Sequence, residues 1–242
     1  MDAVLTLSGI SKSFGGNNAL QHLNLEVSFG QILGLIGPNG AGKTTVLNIA
    51  TGVYKPDSGK ILIEGNDVTL LNPYQRSRKG LSRTFQGGRP FGDLTVRENV
   101  TIALEQRIKS EKKRLMQFNR LPDIDELLNE VGLLVDSETQ AQSLPYGKQK
   151  QLEIARAIAY STTILLLDEP TSGLSTDEIK LVAALIDRYR HNLGILLIEH
   201  NMDVVMSLCD QITVIDAGSW VATGTPSEIQ INPKVMSAYL GT

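Results

Sequence analysis

The run Gly37, Pro38, Asn39, Gly40, Ala41, Gly42, Lys43, Thr44 and Thr45 carries the densest chemistry in the chain. A glycine, four residues, then Gly-Lys-Thr is the spacing of a loop that cradles phosphate. Gly37, Gly40 and Gly42 let backbone N–H groups turn inward and approach an anion closely. Lys43 adds a full charge that reaches the β- and γ-phosphates, and the Thr44 hydroxyl is placed to ligate Mg²⁺. Far along the chain, four apolar residues, Ile164 to Leu167, end in Asp168 and Glu169. Asp168 is suited to hold the Mg²⁺ water shell. Glu169, one residue on and so expected on the other side of a strand axis, is suited to act as general base toward an attacking water. A further apolar run, Ile195 to Ile198, ends in Glu199 and His200. His200 is read as a sensor of the terminal phosphate.

These groups need particular elements to bring them together. Gln31 to Ile36 is an uncharged run of strand length that stops at Gly37, and Lys43 to Ala50 predicts a helix ending at Gly52. The dipole of that helix points its positive end at the same anion. Ile164 to Leu167 and Ile195 to Ile198 predict buried parallel strands that deliver their last residues to one sheet edge. Ser175 to Glu178 is a capping box before a helix with Val182, Leu185, Ile186 and Tyr189 inward. After Asn201 a helix is expected with Met202, Val205, Met206 and Cys209 on one face, which makes Cys209 a small core residue and no nucleophile. Ile212 to Ile215 and Trp220 to Ala222 predict strands about an Asp-Ala-Gly turn, with Trp220 a packing residue that has no nucleotide role. His22 and His191 read as exposed or capping histidines.

Alternation in Val4, Leu5 and Leu7, in Leu23, Leu25 and Val27, and in Ile61 to Ile63 predicts short strands of an antiparallel sheet. Between Gly87 and Gly147 the pattern turns helical. Thr95 to Glu98 is a capping box, Ile124 to Val131 is amphipathic, and Lys109 to Arg114 reads as a solvated charged face. A further helix opens after Leu144-Pro-Tyr-Gly-Lys-Gln149, with Leu152, Ala155, Ile158 and Ala159 inward.

The chain has 242 residues, 41% apolar and 20% charged, the composition of a globular protein. A formal charge of −3 excludes a global positive field for nucleic acid or anionic lipid, so a polyanion must be bound locally. One cysteine excludes an internal disulfide framework and fits a reducing compartment. Asp2 stands where an export signal has a basic region, and no apolar window approaches a membrane span.

Taken together, the phosphate loop, Gln86, the Leu144 to Gln149 segment, the Asp168-Glu169 strand end and His200 resemble ATP-binding-cassette ATPases over essentially the whole chain. The resemblance implies an α/β fold: a P-loop NTPase (RecA-like) core sheet with an N-terminal antiparallel β-subdomain and an inserted α-helical lobe. The core and β-subdomain would comprise 1–86 and 150–242, the lobe 87–149. It implies ATP and Mg²⁺ as ligands, Phe14 as the ring stacked on adenine, and Gln86 as a lever that senses Mg²⁺ and reports to a membrane partner. Lys43, Gln86, Glu169 and His200 are then the catalytic set, and Thr44, Gln86 and Asp168 the metal set. Leu144, Pro145, Tyr146, Gly147, Lys148 and Gln149 of one subunit would cover the γ-phosphate held by another, in a head-to-tail dimer.

Two segments depart from the family pattern. The usual Leu-Ser-Gly-Gly-Gln has Pro145 and Tyr146 in its second and third places, which removes a hydroxyl donor, and Ser175 stands where an aspartate is usual. Arg83-Thr-Phe-Gln86, Leu152 to Arg156, Glu199 to Met202 and the Gly224-Thr-Pro to Tyr239-Leu-Gly241 tail look like the ATPases of branched-chain amino acid importers, with their urea and amide relatives. That implies two permease subunits, a solute-binding protein, a second cassette that is more often a paralogue than a copy, and a place on the cytoplasmic face of the inner membrane. A soluble cassette ATPase of an iron–sulfur assembly scaffold and a lipid-export motor stay open as alternatives. The DNA-maintenance version is disfavoured, because the lobe is too short for a long coiled coil and no basic linker is present.

Overall fold

The computed structural model describes residues 2–84, 90–110 and 123–240. The chain begins with a hairpin of β1 (Ala3–Phe14) and β2 (Asn17–Ser28), then passes through β3 (Ile32–Ile36) into helix α1 (Lys43–Thr51). Strands β4 (Ser58–Ile63) and β5 (Asn66–Asp67), the short helix α2 (Pro73–Ser77) and strand β6 (Leu81–Arg83) follow. Helices α3 (Val96–Ser110), α4 (Ile124–Glu130) and α5 (Tyr146–Tyr160) come next. The chain then alternates through β7 (Ile164–Asp168), α6 (Thr176–Tyr189), β8 (Gly194–Ile198) and α7 (Met202–Leu208). It closes with β9 (Gln211–Asp216), β10 (Ser219–Gly224), α8 (Pro226–Gln230) and α9 (Pro233–Leu240).

Two sheets result. One is antiparallel in the order β2-β1-β4-β5, and the other runs β10-β9-β3-β8-β7-β6. In the second, β9, β3, β8, β7 and β6 are mutually parallel and only the edge strand β10 is reversed. β3, β7 and β8 are buried at every position, as expected of strands covered on both faces. Their residues divide by parity. Ile32, Ile36, Leu165, Leu167, Ile195 and Leu197 join the core shared with α5, α6 and α7. Leu33, Leu35, Ile164, Leu166, Leu196 and Ile198 join the core shared with α1 and the antiparallel sheet. The molecule is therefore three layers deep, and the core sits on either side of the parallel sheet.

The first core also contains Val96 and Val100 of α3 and Leu127 and Leu128 of α4, so these helices share its apolar interior. Thr95 and Glu98 form the expected reciprocal cap of α3: the Thr95 N–H donates to Glu98 and the Glu98 N–H to Thr95 Oγ1.

Three expectations are corrected. β1 and β2 are long strands and not short ones, because register shifts near Leu7 and Ile10 let pairing continue where apolar alternation lapses. Helix α7 turns Val204, Val205 and Leu208 inward; Met202 is exposed and Cys209 lies just past the helix. The reason is its cap: Asn201 accepts from the Asp203 and Val204 amides, which fixes the helix start and its phase. Trp220 does not pack inside. It stands on the edge strand, 54% exposed, with its indole N–H on Thr223 Oγ1. Cys209 is buried as expected, against Gly34, where a Cβ would sit 2.9 Å from its Sγ. Burial pushes its thiol up to about 12.

Candidate nucleotide site

Parallel strands present their carboxyl ends on one side, and a ligand crevice forms where they stop. β3 stops at Ile36 and feeds the phosphate loop; β7 stops at Asp168; β8 stops at Ile198, paired with Asp168, two residues before His200. Topology alone thus gathers the loop, both carboxylates and the histidine.

The loop is shaped by its glycines. Gly42 holds φ +104° and caps α1, and a Cβ there would meet the Ala19 carbonyl at 2.7 Å. A Cβ at Gly37 would collide with the Ile215 carbonyl oxygen of β9. These two glycines are required by the protein's own backbone, and the close approach to phosphate that the sequence suggests comes in addition. Lys43 is buried, and its Nζ donates to Gly37 O at 2.6 Å and Pro38 O at 3.0 Å. Burial lowers the Lys43 pKa from the usual lysine value, and the charges of Glu169 and Asp168 oppose that shift. Thr44 is exposed, Thr45 half-buried, Asn39 and Gly40 exposed, and Ala41 buried.

Asp168 is almost fully buried. Its Oδ2 accepts from Arg83 Nη2 at 2.9 Å, and its N–H donates to Thr84 Oγ1 at 3.1 Å. Glu169 has left the strand. It adopts φ +48°, so its side chain does not follow the strand alternation assumed from the sequence. Its N–H still bonds Ile198 O at 2.9 Å, and its Oε1 lies 3.0 Å from His200 Nε2. A non-glycine residue held at positive φ beside a histidine is a strained, fixed arrangement of the kind that clusters at functional sites.

One carboxylate that sequence reasoning passed over organises this corner. Glu199 is 3% exposed. Its Oε1 accepts from the Thr171 N–H at 2.7 Å and the Thr171 hydroxyl at 2.6 Å, and its Oε2 from the N–H groups of His200 at 3.0 Å and Asn201 at 3.3 Å. Glu199 therefore ties the loop after Glu169 to the loop carrying His200. Its position at the end of a buried strand, where a charge needs partners, was the available signal.

Phe14 lies at the tip of the β1–β2 hairpin, half of which passes the phosphate loop at Ala19 and Leu20. Its exposed ring meets Tyr54 edge-on, centroids 5.1 Å apart, and Lys12 Nζ stands 5.4 Å from its centre. Gln86 lies outside the described residues.

The Leu144 to Gln149 segment opens α5. Leu144 is in the core and Pro145 is the exposed residue before the helix. Tyr146 is exposed and lies against Gly173, where a Cβ would sit 2.9 Å from its ring. Lys148 pairs with Asp136 at 2.6 Å and Gln149 Nε2 donates to Leu144 O at 2.9 Å, so both side chains are engaged within the chain. The exposed residues of the segment are Pro145 and Tyr146, and a Cβ at Gly147 would collide with the Glu178 carboxylate of α6. Ser175 caps α6: its N–H and hydroxyl both donate to Glu178.

For Mg²⁺ the donor set is a hydroxyl and a carboxylate, both hard oxygen groups. This fits an ion that takes one or two protein oxygens and draws the rest from substrate phosphates and water. Among the described residues no group of three or more His, Cys, Asp or Glu side chains could hold a metal by itself.

Beyond the site, Tyr74, Phe91, Ile102, Ala103, Arg156 and Tyr160 line an open groove of about 490 Å³ between α2, β6, α3 and α5. The Arg156 guanidinium lies 4.5 Å from the centre of the Phe91 ring.

Comparison with known proteins agrees with this geometry. Residues 20–172 match the family model described as ABC transporter, and residues 221–242 match the one described as branched-chain amino acid ATP-binding cassette transporter. The chain is 43% identical to the high-affinity branched-chain amino acid transport ATP-binding protein LivG of Escherichia coli, covering 98% of each. It is 34% identical to the lipopolysaccharide export system ATP-binding protein LptB of Haemophilus influenzae, covering 99% of this chain and 98% of that one. Its fold is similar to the crystal structure of the ADP conformation of MJ1267, an ATP-binding cassette of an ABC transporter, with TM-score 0.84, 28% identity and all of both chains covered. A phosphate loop, a strand-end acid pair and a histidine on one sheet edge, together with these matches, make the chain a member of the ABC transporter family, an ATP-binding subunit whose ATPase activity is coupled to transport.

Proposed function

We propose that the chain powers uptake of branched-chain or other neutral amino acids, or of a small amide such as urea. It would do so from the cytoplasmic face of the inner membrane, through two permease subunits served by a solute-binding protein. The observation that carries the import reading is the separate match at residues 221–242, outside the cassette match. Among the described residues no helix is long and apolar enough to cross a membrane, and this reading gives the span to the permease subunits.

ATP enters with adenine on Phe14 and its phosphates against the loop amides, the α1 dipole and Lys43. Thr44 and Asp168, with Gln86, would hold Mg²⁺, and the ion would supply positive charge against the β- and γ-phosphates. Glu169 takes a proton from the attacking water, and His200, in contact with its carboxylate, orients that base and senses the γ-phosphate. The first-turn amides of α5, presented behind Pro145 and Tyr146, cover the γ-phosphate of a second cassette in a head-to-tail dimer, a paralogue in the cell. ATP binds the closed dimer better than the open one, which drives the change in access. The lobe, 87–149, moves against the core of 1–86 and 150–242; its limit falls inside α5, which links the two. The groove lined by Tyr74 and Phe91 receives the permease.

Glu169→Gln tests the scheme by steady-state hydrolysis and light scattering. The variant is expected to bind ATP, lose turnover and accumulate as an ATP-stabilised dimer; hydrolysis at the parent rate removes Glu169 from its role. Co-purification tests the transport reading: multi-span membrane proteins encoded beside a periplasmic solute-binding protein support import, and soluble scaffold partners overturn it.

A further inference from the structure

Arg83, the last residue of β6, spans two elements that carry the proposed metal ligands. Its Nη1 donates to Asn48 Oδ1 at 2.7 Å and its Nη2 to Asp168 Oδ2 at 2.9 Å. The Arg83 and Asp168 side chains are only 5% and 2% exposed, so this is a buried, charge-assisted pair that solvent barely screens. Asn48 sits on α1 four residues after Thr44, which puts the two on one helix face. Arg83 therefore runs from the face that carries Thr44 to the strand end that carries Asp168.

We propose that Arg83 is a positioning residue for the divalent cation, a strut that fixes the separation of Thr44 and Asp168 and the orientation of the Asp168 carboxylate. The proposal rests on the metal reading given above. The chemistry suits arginine: a planar fork holds two acceptors at a set angle, which a flexible ammonium does not. The bond from the Asp168 N–H to Thr84 Oγ1 holds the strand end in place, and turning the carboxylate away from Arg83 breaks the bond to Oδ2. Asn48 ties the same arginine to the helix, so Asp168 and α1 cannot drift apart without breaking a half-buried hydrogen bond.

The test is the metal-dependent part of nucleotide affinity, read on the full chain with a fluorescent ATP analogue in EDTA and again in excess Mg²⁺. The ratio of the two dissociation constants is the coupling between metal and nucleotide. In Arg83→Leu the affinity in EDTA is expected to stay within about twofold of the parent, while the ratio falls about tenfold, which is about 1.4 kcal/mol. A merely structural arginine would lower the melting temperature and leave the ratio unchanged, and that result overturns the proposal. Because removing one partner of a buried pair is strongly destabilising, Asn48→Leu is measured alongside. It cuts only the helix anchor, and its ratio is expected to fall about threefold, the loss of one modest hydrogen bond. An unchanged ratio in a folded Asn48→Leu also overturns the proposal, and it decides alone if Arg83→Leu does not fold. A parent chain with no Mg²⁺ effect on affinity removes the metal reading itself, and the strut with it.

Discussion

Glu199 shows how much a single carboxylate can set at this site. Its two oxygens serve two loops, and four N–H or O–H donors converge on it. Glu199→Gln keeps the shape but offers one acceptor oxygen, so at least one loop loses its anchor or faces an N–H against an N–H. The expected result is a kcat about tenfold to a hundredfold lower with ATP affinity within about twofold, the pattern of lost transition-state positioning. Equal losses in both would reduce Glu199 to a fold-holding role; stopped-flow binding and steady-state kinetics distinguish them. Lys43→Ala belongs to the same scale: nucleotide affinity should fall, and unchanged binding in a titration counts against the phosphate-loop assignment. Lys43, Asp168 and His200 were legible because their neighbours in sequence announce them. Glu199 and Arg83 were not, since their partners stand 28 and 85 residues away and only the folded sheet introduces them. Glu169 was found but misoriented, because alternation holds only while the chain stays in β conformation, and φ +48° ends it.

Among the elements, α2 is short enough to escape any reading of periodicity, yet it secures the phosphate helix. Arg76 of α2 is fully buried. It donates to Ile49 O and Ala50 O in the last turn of α1, and to Thr69 O and Leu71 O before α2. A cation at a helix C-terminus satisfies orphan carbonyls and complements the dipole. Burial lowers its pKa to about 10, with Asp67 opposing the shift. Arg76→Leu strands several buried carbonyls at about 1–3 kcal/mol each, so unfolding free energy should fall by at least about 3 kcal/mol. Urea denaturation reads that loss; a midpoint within error of the parent would show that water takes over the carbonyls. From the sequence alone Arg76 is one more surface charge. The long elements α1, α5, α6, β7 and β8 were legible because an apolar face or run long enough to define a period lies inside each.

The whole molecule pairs a chemical edge with a mechanical one. The groove shares Thr51 of α1, Arg83 of β6 and Arg156 of α5 with elements that build the nucleotide site, so a partner seated there bears on all three. Tyr74→Glu at its exposed rim should leave basal ATPase activity of the isolated chain within about twofold and abolish assembly with the permease, since Tyr74 lines the groove but lies outside both cores. Pull-down of the permease beside a phosphate-release assay checks this, and retained assembly excludes the groove as the docking face. The order of strands within the sheets was not legible, because each buried strand reads alike and only crossover geometry ranks them. The thiol of Cys209 opens a practical route to watching this coupling. It is the chain's one cysteine, held against Gly34 and protonated far above working pH, so thiol reagents meet no competing nucleophile on the folded surface. Fluorophore or spin-label pairs can thus be placed on the lobe and the core of the natural sequence without first removing a native cysteine, and distance changes followed as ATP is turned over.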